Sequence, residues 1–383
     1  MRSRAWAAAT VAFATGAMVV AGCGGGASPN RTEPPATSRD VVTGCPPGTH
    51  PDRAGPAGQA RPEALQGMLS AAVDADSARL VVLAAVRVDK LRTRPETWTL
   101  DLCTNTWQRQ HPTDGPSAAP DTQLVYDAAD DVVIAWSPRE RVSWAYDVVR
   151  DEWTRLAAAP AAPQGALQDV VYDPTGRRVI LRDGSDGRLW SYRFRTDSWR
   201  ALAGTSATGD DGTDESDFHS YLVADPARHQ LILVQNSYTS PARTWRFDLD
   251  TRRWTRYPTA TPDVINGYDE TGGEIVFDPG ADRALLLGYA RLVAFDPGAG
   301  TWREVTVHEP LVVPESGDDT SMHTGPLVRT RHTLVYDPVN ARVLVVGGMY
   351  HRSEPSEPFR WTRSRDVWAY ETANDTWTEL VAP

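Results

Sequence analysis

A pair of tryptophans nine residues apart recurs along this chain: Trp98/Trp107, Trp144/Trp153, Trp190/Trp199, Trp245/Trp254 and Trp368/Trp377, with Val293/Trp302 as a variant. Six copies at a period near 46 residues define a repeat architecture, in which each unit buries its apolar faces against its neighbours. Three residues after the first member stands Asp101, Asp147, Arg193, Asp248, Asp296 or Glu371, followed by a polar run such as Thr104-Asn105-Thr106. Each pair therefore reads as strand, turn, strand. A second hairpin lies upstream, clearest in Leu334-Val335-Tyr336-Asp337-Pro338 and Arg342-Val343-Leu344-Val345-Val346-Gly347-Gly348. Asp173-Pro174 with Arg178 and Asp278-Pro279 with Arg283 repeat it. Asp225-Pro226 carries Gln230 at the Arg position, Asp127 carries Val132, and the first copy has Asp74 with Arg79. An exposed Asp–Arg pair contributes at most about 1 kcal/mol, so the pattern is attributed mainly to turn formation.

Four strands per copy predict an all-β, six-bladed propeller of four-stranded antiparallel blades, at about 64–112, 121–158, 167–203, 219–258, 272–307 and 331–380. Abundant turn formers, 29 Gly and 29 Pro, suit short strands better than the two or three separate domains that 383 residues would otherwise suggest. The repeat resembles the kelch family over residues 64–383: Gly347-Gly348 after the second strand, Trp144-Ala145-Tyr146-Asp147 as a third strand, and Asn-Thr-Trp leading into the fourth. It departs from that pattern in keeping the double glycine only in the last copy. Eleven of the 14 tryptophans belong to the repeat and are expected to pack, each burying roughly 200 Å².

Upstream of the repeat, Arg2 and Arg4 precede an uncharged run from Ala5 to Gly22, the form of a secretory signal covering residues 1–22. The run ends Val20-Ala21-Gly22-Cys23, which resembles the lipobox of bacterial lipoproteins. The resemblance implies diacylation of Cys23, attachment to the outer face of the cell membrane, and a stable anchor because two or more chains hold far better than one. Residues 23–63, rich in Gly, Pro, Ser and Thr, read as a flexible tether. In an oxidising compartment the remaining cysteines, Cys45 and Cys103, are expected to form a disulfide, two free thiols being the alternative that spacing does not decide. A net charge of −11 argues against nonspecific nucleic-acid binding.

Strand order places every short turn on one face of the propeller and the long loops, 204–218, 259–273, 306–330 and 349–365, on the other. The residues leading into the innermost strands should ring the channel mouth there: Asp121 and Thr122, Leu167 and Gln168, His219 and Ser220, Arg331 and His332. His308, His323 and His351 fall in the long loops, but no metal-binding His spacing occurs. Asp210, Asp211, Asp214, Glu215 and Asp217 could gather a calcium ion, yet their order matches no known loop and such acidic runs are more often solvated, so no cofactor is expected. Trp361, beside Phe359, Arg360 and Arg363, is asked for by no blade pattern and suits stacking on a sugar or anchoring a protein.

Enzyme templates fit poorly. Cys103 falls in a turn on the wrong face for a copper–radical site, sialidase-type Asp boxes have the wrong spacing, and no nucleophile elbow or phosphate loop occurs. The expected function is binding of a partner protein or envelope glycan through the loop-rich face. The alternatives are an enzyme on an envelope carbohydrate or small metabolite, with His219 and His332 as acid–base or metal groups, and a purely structural platform.

Overall fold

The computed structural model describes residues 44–62, 70–87, 93–117, 122–138, 140–156, 167–183, 187–202, 218–237, 242–260, 274–288, 291–306, 325–326, 328–354 and 357–382. Within them the chain forms six four-stranded antiparallel sheets, each built from one contiguous stretch of sequence. Blade one holds β1 (Ser70–Asp74), β2 (Arg79–Arg87), β3 (Thr93–Asp101) and β4 (Thr106–Arg109). Blade two holds β5 (Gln123–Asp127), β6 (Val132–Ser137), β7 (Val142–Asp147) and β8 (Glu152–Arg155). In blade three these are β9 (Leu167–Asp173), β10 (Arg178–Asp183), β11 (Leu189–Arg193) and β12 (Ser198–Ala201), and in blade four β13 (Phe218–Asp225), β14 (Gln230–Ser237), β15 (Arg243–Asp248) and β16 (Arg253–Arg256). Blade five comprises β17 (Glu274–Asp278), β18 (Arg283–Leu287), β19 (Leu292–Asp296) and β20 (Thr301–Glu304), and blade six β21 (Thr333–Asp337), β22 (Arg342–Glu354), β23 (Glu357–Glu371) and β24 (Thr376–Val381). The first strands adjoin round a complete ring, β1 to β5, β9, β13, β17, β21 and back to β1. This is the six-bladed propeller that the repeat predicts.

Turn chemistry explains why the hairpins form. The Asp ending a strand turns its Oδ1 back onto backbone N–H groups two or three residues on: Asp101 to Cys103 and Thr104, Asp248 to Asp250 and Thr251, Asp278 to Gly280 and Ala281, Asp337 to Val339 and Asn340. The last residue of every such four-residue turn has positive φ, from Ala78 and Asn105 through Gly300 to Ala341 and Asp375. That conformation costs a non-glycine residue roughly 1–2 kcal/mol, and tyrosine hydroxyls that donate to Asp131, Asp151, Asp197 and Asp375 help to hold it. The Asp–Arg pairing is less uniform than the sequence suggests. Asp173–Arg178 and Asp337–Arg342 pair as expected but with both carboxylates buried, whereas Arg79 bonds Asp101 of the next hairpin.

Side chains alternate along each strand, so the apolar residues divide into six cores, one in each junction between neighbouring blades. Leu80, Val82 and Ala84 of β2 pack toward blade six, while Val81 and Leu83 pack toward blade two. Second strands are buried on both faces, which is why they read as unbroken apolar runs. The repeat tryptophans pack here, although Trp190, Trp245, Trp254 and Trp302 are only half-buried. Several also tie blades together. The Trp153 indole N–H donates to Thr97 Oγ1 at 2.9 Å, Trp199 to Ser143 Oγ at 3.3 Å and Trp302 to Thr244 Oγ1 at 2.9 Å, each hydroxyl lying one residue before the first repeat position of the preceding blade.

The ring closes at the seam between blades six and one. Residues that composition assigns to the tether do not hang free there. Cys45 is bonded to Cys103, with their Cα atoms 5.3 Å apart. Asn105 Nδ2 donates to the carbonyls of Pro51 and Arg53 at 2.6 and 2.8 Å, and Arg342 Nη1 donates to Pro51 at 3.0 Å. The Gly55 N–H reaches the Leu380 carbonyl at 2.8 Å, and Arg61 bonds the carbonyl of Ala382. Between Cys45 and Arg61 the tether reading is therefore corrected to a strap, whose backbone groups are paired to both blades at the seam.

Candidate functional site

Each first strand carries an equivalent residue four positions before its turn Asp: Ser70, Gln123, Asp169, Tyr221, Glu274 and Thr333. The residues two further on, such as Ala72, Val171 and Val276, pack into the junction with the following blade, so alternation sends these six the same way. Ser70 Oγ accepts the Leu124 N–H, and Asp169 Oδ1 accepts the Leu222 N–H at 3.1 Å. An equivalent position thus stitches blade one to two and blade three to four.

The junction of blades three and four carries a polar cluster. Asp169 pairs in register with Arg182, and Ser220 with Gln235. Ile180, Leu222 and Leu233, each two residues away on the same strands, lie in the core of this junction, which places Arg182, Ser220 and Gln235 on that face. Arg182 Nη1 donates to Ser220 Oγ at 2.8 Å. Gln235 is 0% exposed, and neither its Oε1 nor its Nε2 has a hydrogen-bond partner; Asp169 Oδ2 also has none. Burial pushes the Asp169 carboxyl up to about 6, against the nearby Arg182 charge and the Leu222 N–H, which lower it. Burial, reinforced by the Asp169 carboxylate, pushes Glu274 up to about 8.

A folded-state pKa above the unfolded value of 4.5 means that Glu274 binds its proton more tightly in the fold. Its contribution to stability is complete below about pH 4.5 and falls away as pH rises toward 8, while the matching fall from Asp169 is over by about pH 6. Glu274→Gln should flatten the decline between pH 6 and 8 and raise the melting temperature at pH 8 by a few degrees, measured by thermal melts across pH. An unchanged pH slope would remove Glu274 from the site.

Of the residues expected at the rim, His332 and Arg331 are two whose side chains are described. His332 is 0% exposed, packed beneath Gly348, where an added Cβ would meet Thr330 O at 2.9 Å and His332 Cβ at 3.0 Å. Burial, with help from the Arg329 charge, pushes its pKa down to about 3, against the backbone groups of Leu287 and Arg329, which raise it. It stays neutral and enclosed, whereas Arg331, its neighbour, is exposed with φ 53°. These two residues do not converge as acid–base groups. Gln168 lies in β9 and His219 in β13 opposite Asn236, with side chains outside the described residues, as are Asp121, His308, His323 and the run Asp210, Asp211, Asp214, Glu215, Asp217. Among the described residues no group of three or more His, Cys, Asp or Glu could hold a metal.

The segment 349–365 is not a loop. β22 and β23 continue past the blade as a paired hairpin, from Gly348 opposite Ser364 to Glu354 opposite Glu357, with His351 opposite Trp361. A bulge at Gly347 and Gly348, both with positive φ, marks its start. Below it lies a buried ion pair. Arg329 bonds both Asp366 oxygens at 2.6 and 2.8 Å, and Asp366 also accepts from Ser364 Oγ and the Trp368 indole N–H. Glu96 accepts the Trp98 indole in the same way at 2.9 Å in blade one. Sequence reading missed Asp169, Arg182, Gln235 and Glu274. The available signal was a charged or amide residue interrupting an apolar strand, as in Val179-Ile180-Leu181-Arg182 and Leu233-Val234-Gln235.

Fold and site together define a six-bladed β-propeller with a polar, acid-bearing cluster on the inner strands of blades three to five. No family model and no curated protein matches the chain. Among solved structures it is similar to the crystal structure of a protein from Lactobacillus plantarum, at 14% identity over 83% of this chain and 85% of that one, with a TM-score of 0.49.

Proposed function

We propose that this chain is an exported, lipid-anchored propeller of kelch type that binds an envelope partner, a protein or a glycan, on the face from which the blade-six hairpin continues. That hairpin carries the reading. Six residues beyond Gly348 correspond to roughly 20 Å of paired strand, far more than a blade needs to cover its neighbours. Segment 349–365 holds Arg352, Arg360, Arg363 and Arg365 against Glu354 and Glu357, a positive element on a chain of net charge −11, which suits an anionic partner surface. Trp361 adds an aromatic beside these arginines. The basic, uncharged-run and Cys23 pattern supports the anchor, and the Cys45–Cys103 bridge fits an oxidising compartment.

One experiment addresses both halves. In cells producing the full chain, Cys23→Ser should move the protein from the membrane to the soluble fraction. In membrane preparations of the wild-type anchor form, replacing 351–360 by a two-residue turn, or Trp361→Ala, should reduce co-purification of envelope material at least tenfold without lowering the melting temperature. Unchanged fractionation would overturn the anchor, and unchanged co-purification would overturn the docking role of the hairpin.

A further inference from the structure

We propose that the polar cluster between blades three and four is a second site, which binds a small polyhydroxylated molecule such as a single sugar ring. This goes beyond the docking reading and does not depend on the hairpin. The argument begins with unsatisfied groups. A fully buried amide with neither atom paired is costly, on the order of 1–3 kcal/mol per group, and native folds rarely keep one without a partner. Gln235 offers one donor side and one acceptor, and Asp169 Oδ2 offers a second acceptor on the same junction face. A hydroxyl both donates and accepts, so one placed between them would donate to Asp169 and accept from Gln235 Nε2.

The other groups select against simpler occupants. The Arg182 guanidinium, held on Ser220, disfavours a bare cation in the same junction. A strongly anionic ligand would meet the Asp169 carboxylate, which burial leaves poorly screened. Glu274 holds its proton at neutral pH and can then donate to a ligand oxygen as well as accept from a hydroxyl. Donors and acceptors mixed within one small region are what a neutral polyol requires.

The test is calorimetric titration of the purified full-length protein with glucose, galactose, arabinose, N-acetylglucosamine and myo-inositol, and separately with calcium chloride. At least one of the neutral probes should bind saturably in the millimolar range or tighter. Asp169→Asn, which keeps the shape of the side chain, and Gln235→Leu should each weaken that binding at least tenfold, with thermal melts confirming that each variant folds. The variant lacking hairpin residues 351–360 should bind the probe as the wild type does, so that loss of docking and loss of this site are told apart. Absence of binding by all five neutral probes, meaning that ordered water alone satisfies the cluster, would overturn the proposal. So would binding that neither substitution weakens, or saturable binding of calcium alone.

Discussion

Asp366→Asn should destabilise the propeller by about 3–5 kcal/mol, the largest effect expected from a single conservative substitution in this chain. The carboxylate is buried, its pKa is held below the usual range against the burial by Arg329, and it accepts bonds from Arg329, Ser364 and Trp368. An amide in its place cannot accept at both positions and leaves the 1% exposed Arg329 guanidinium as an uncompensated charge. Urea unfolding followed by tryptophan fluorescence measures the change. Removing both charges, as Arg329→Met with Asp366→Leu, should recover most of it, because the cost lies in the orphaned partner. A loss below about 1 kcal/mol in the single variant, or no recovery in the double, would show that the pair is not what holds the base of the hairpin.

Cys45→Ser with Cys103→Ser should cost about 4 kcal/mol, since the bridge closes a loop with a sequence separation of 58 and the unfolded chain regains that freedom when it is cut. The effect should be local in its onset. Hydrogen exchange at Gly55, whose N–H pairs with Leu380, should rise before exchange in the blade interiors, because the strap spans the seam where the last blade meets the first. Wild-type protein treated with reductant should approach the stability of the double variant, and the variant itself should not respond to reductant. Equal stability of the variant and the oxidised wild type would mean that the seam is closed by the core around Leu80, Val82, Leu344 and Val367 alone.

The strands and turns were legible because their causes are local. Asp127 or Asp278 caps its own turn whatever lies beyond it, and Val343-Leu344-Val345-Val346 must be buried on both faces wherever it sits. The candidate site was not legible, for a reason that His332 makes plain. Its place five residues before the turn Asp matches that of Ser220 in β13, but in blade six Gly348 packs against it and the Arg329 charge lies nearby. The 349–365 segment misled in the same manner, since its charged and Pro-containing sequence lacks the apolar alternation of a blade strand and pairs only as a continuation of β22 and β23.

The sequence by itself determined six blades, their strand order, the face that carries the short turns and the packing role of most tryptophans, because each of these follows from contacts within one repeat or between identical positions of adjacent repeats. The tertiary structure alone decided which polar residues share a junction, which histidine is enclosed, and how the ring is fastened. Alternation along a strand tells which way a side chain points, but not what the facing blade presents to it. Asp169 has Arg182 beside it within blade three, but it receives the Leu222 N–H of blade four and acts on Glu274 of blade five only when the three blades come together.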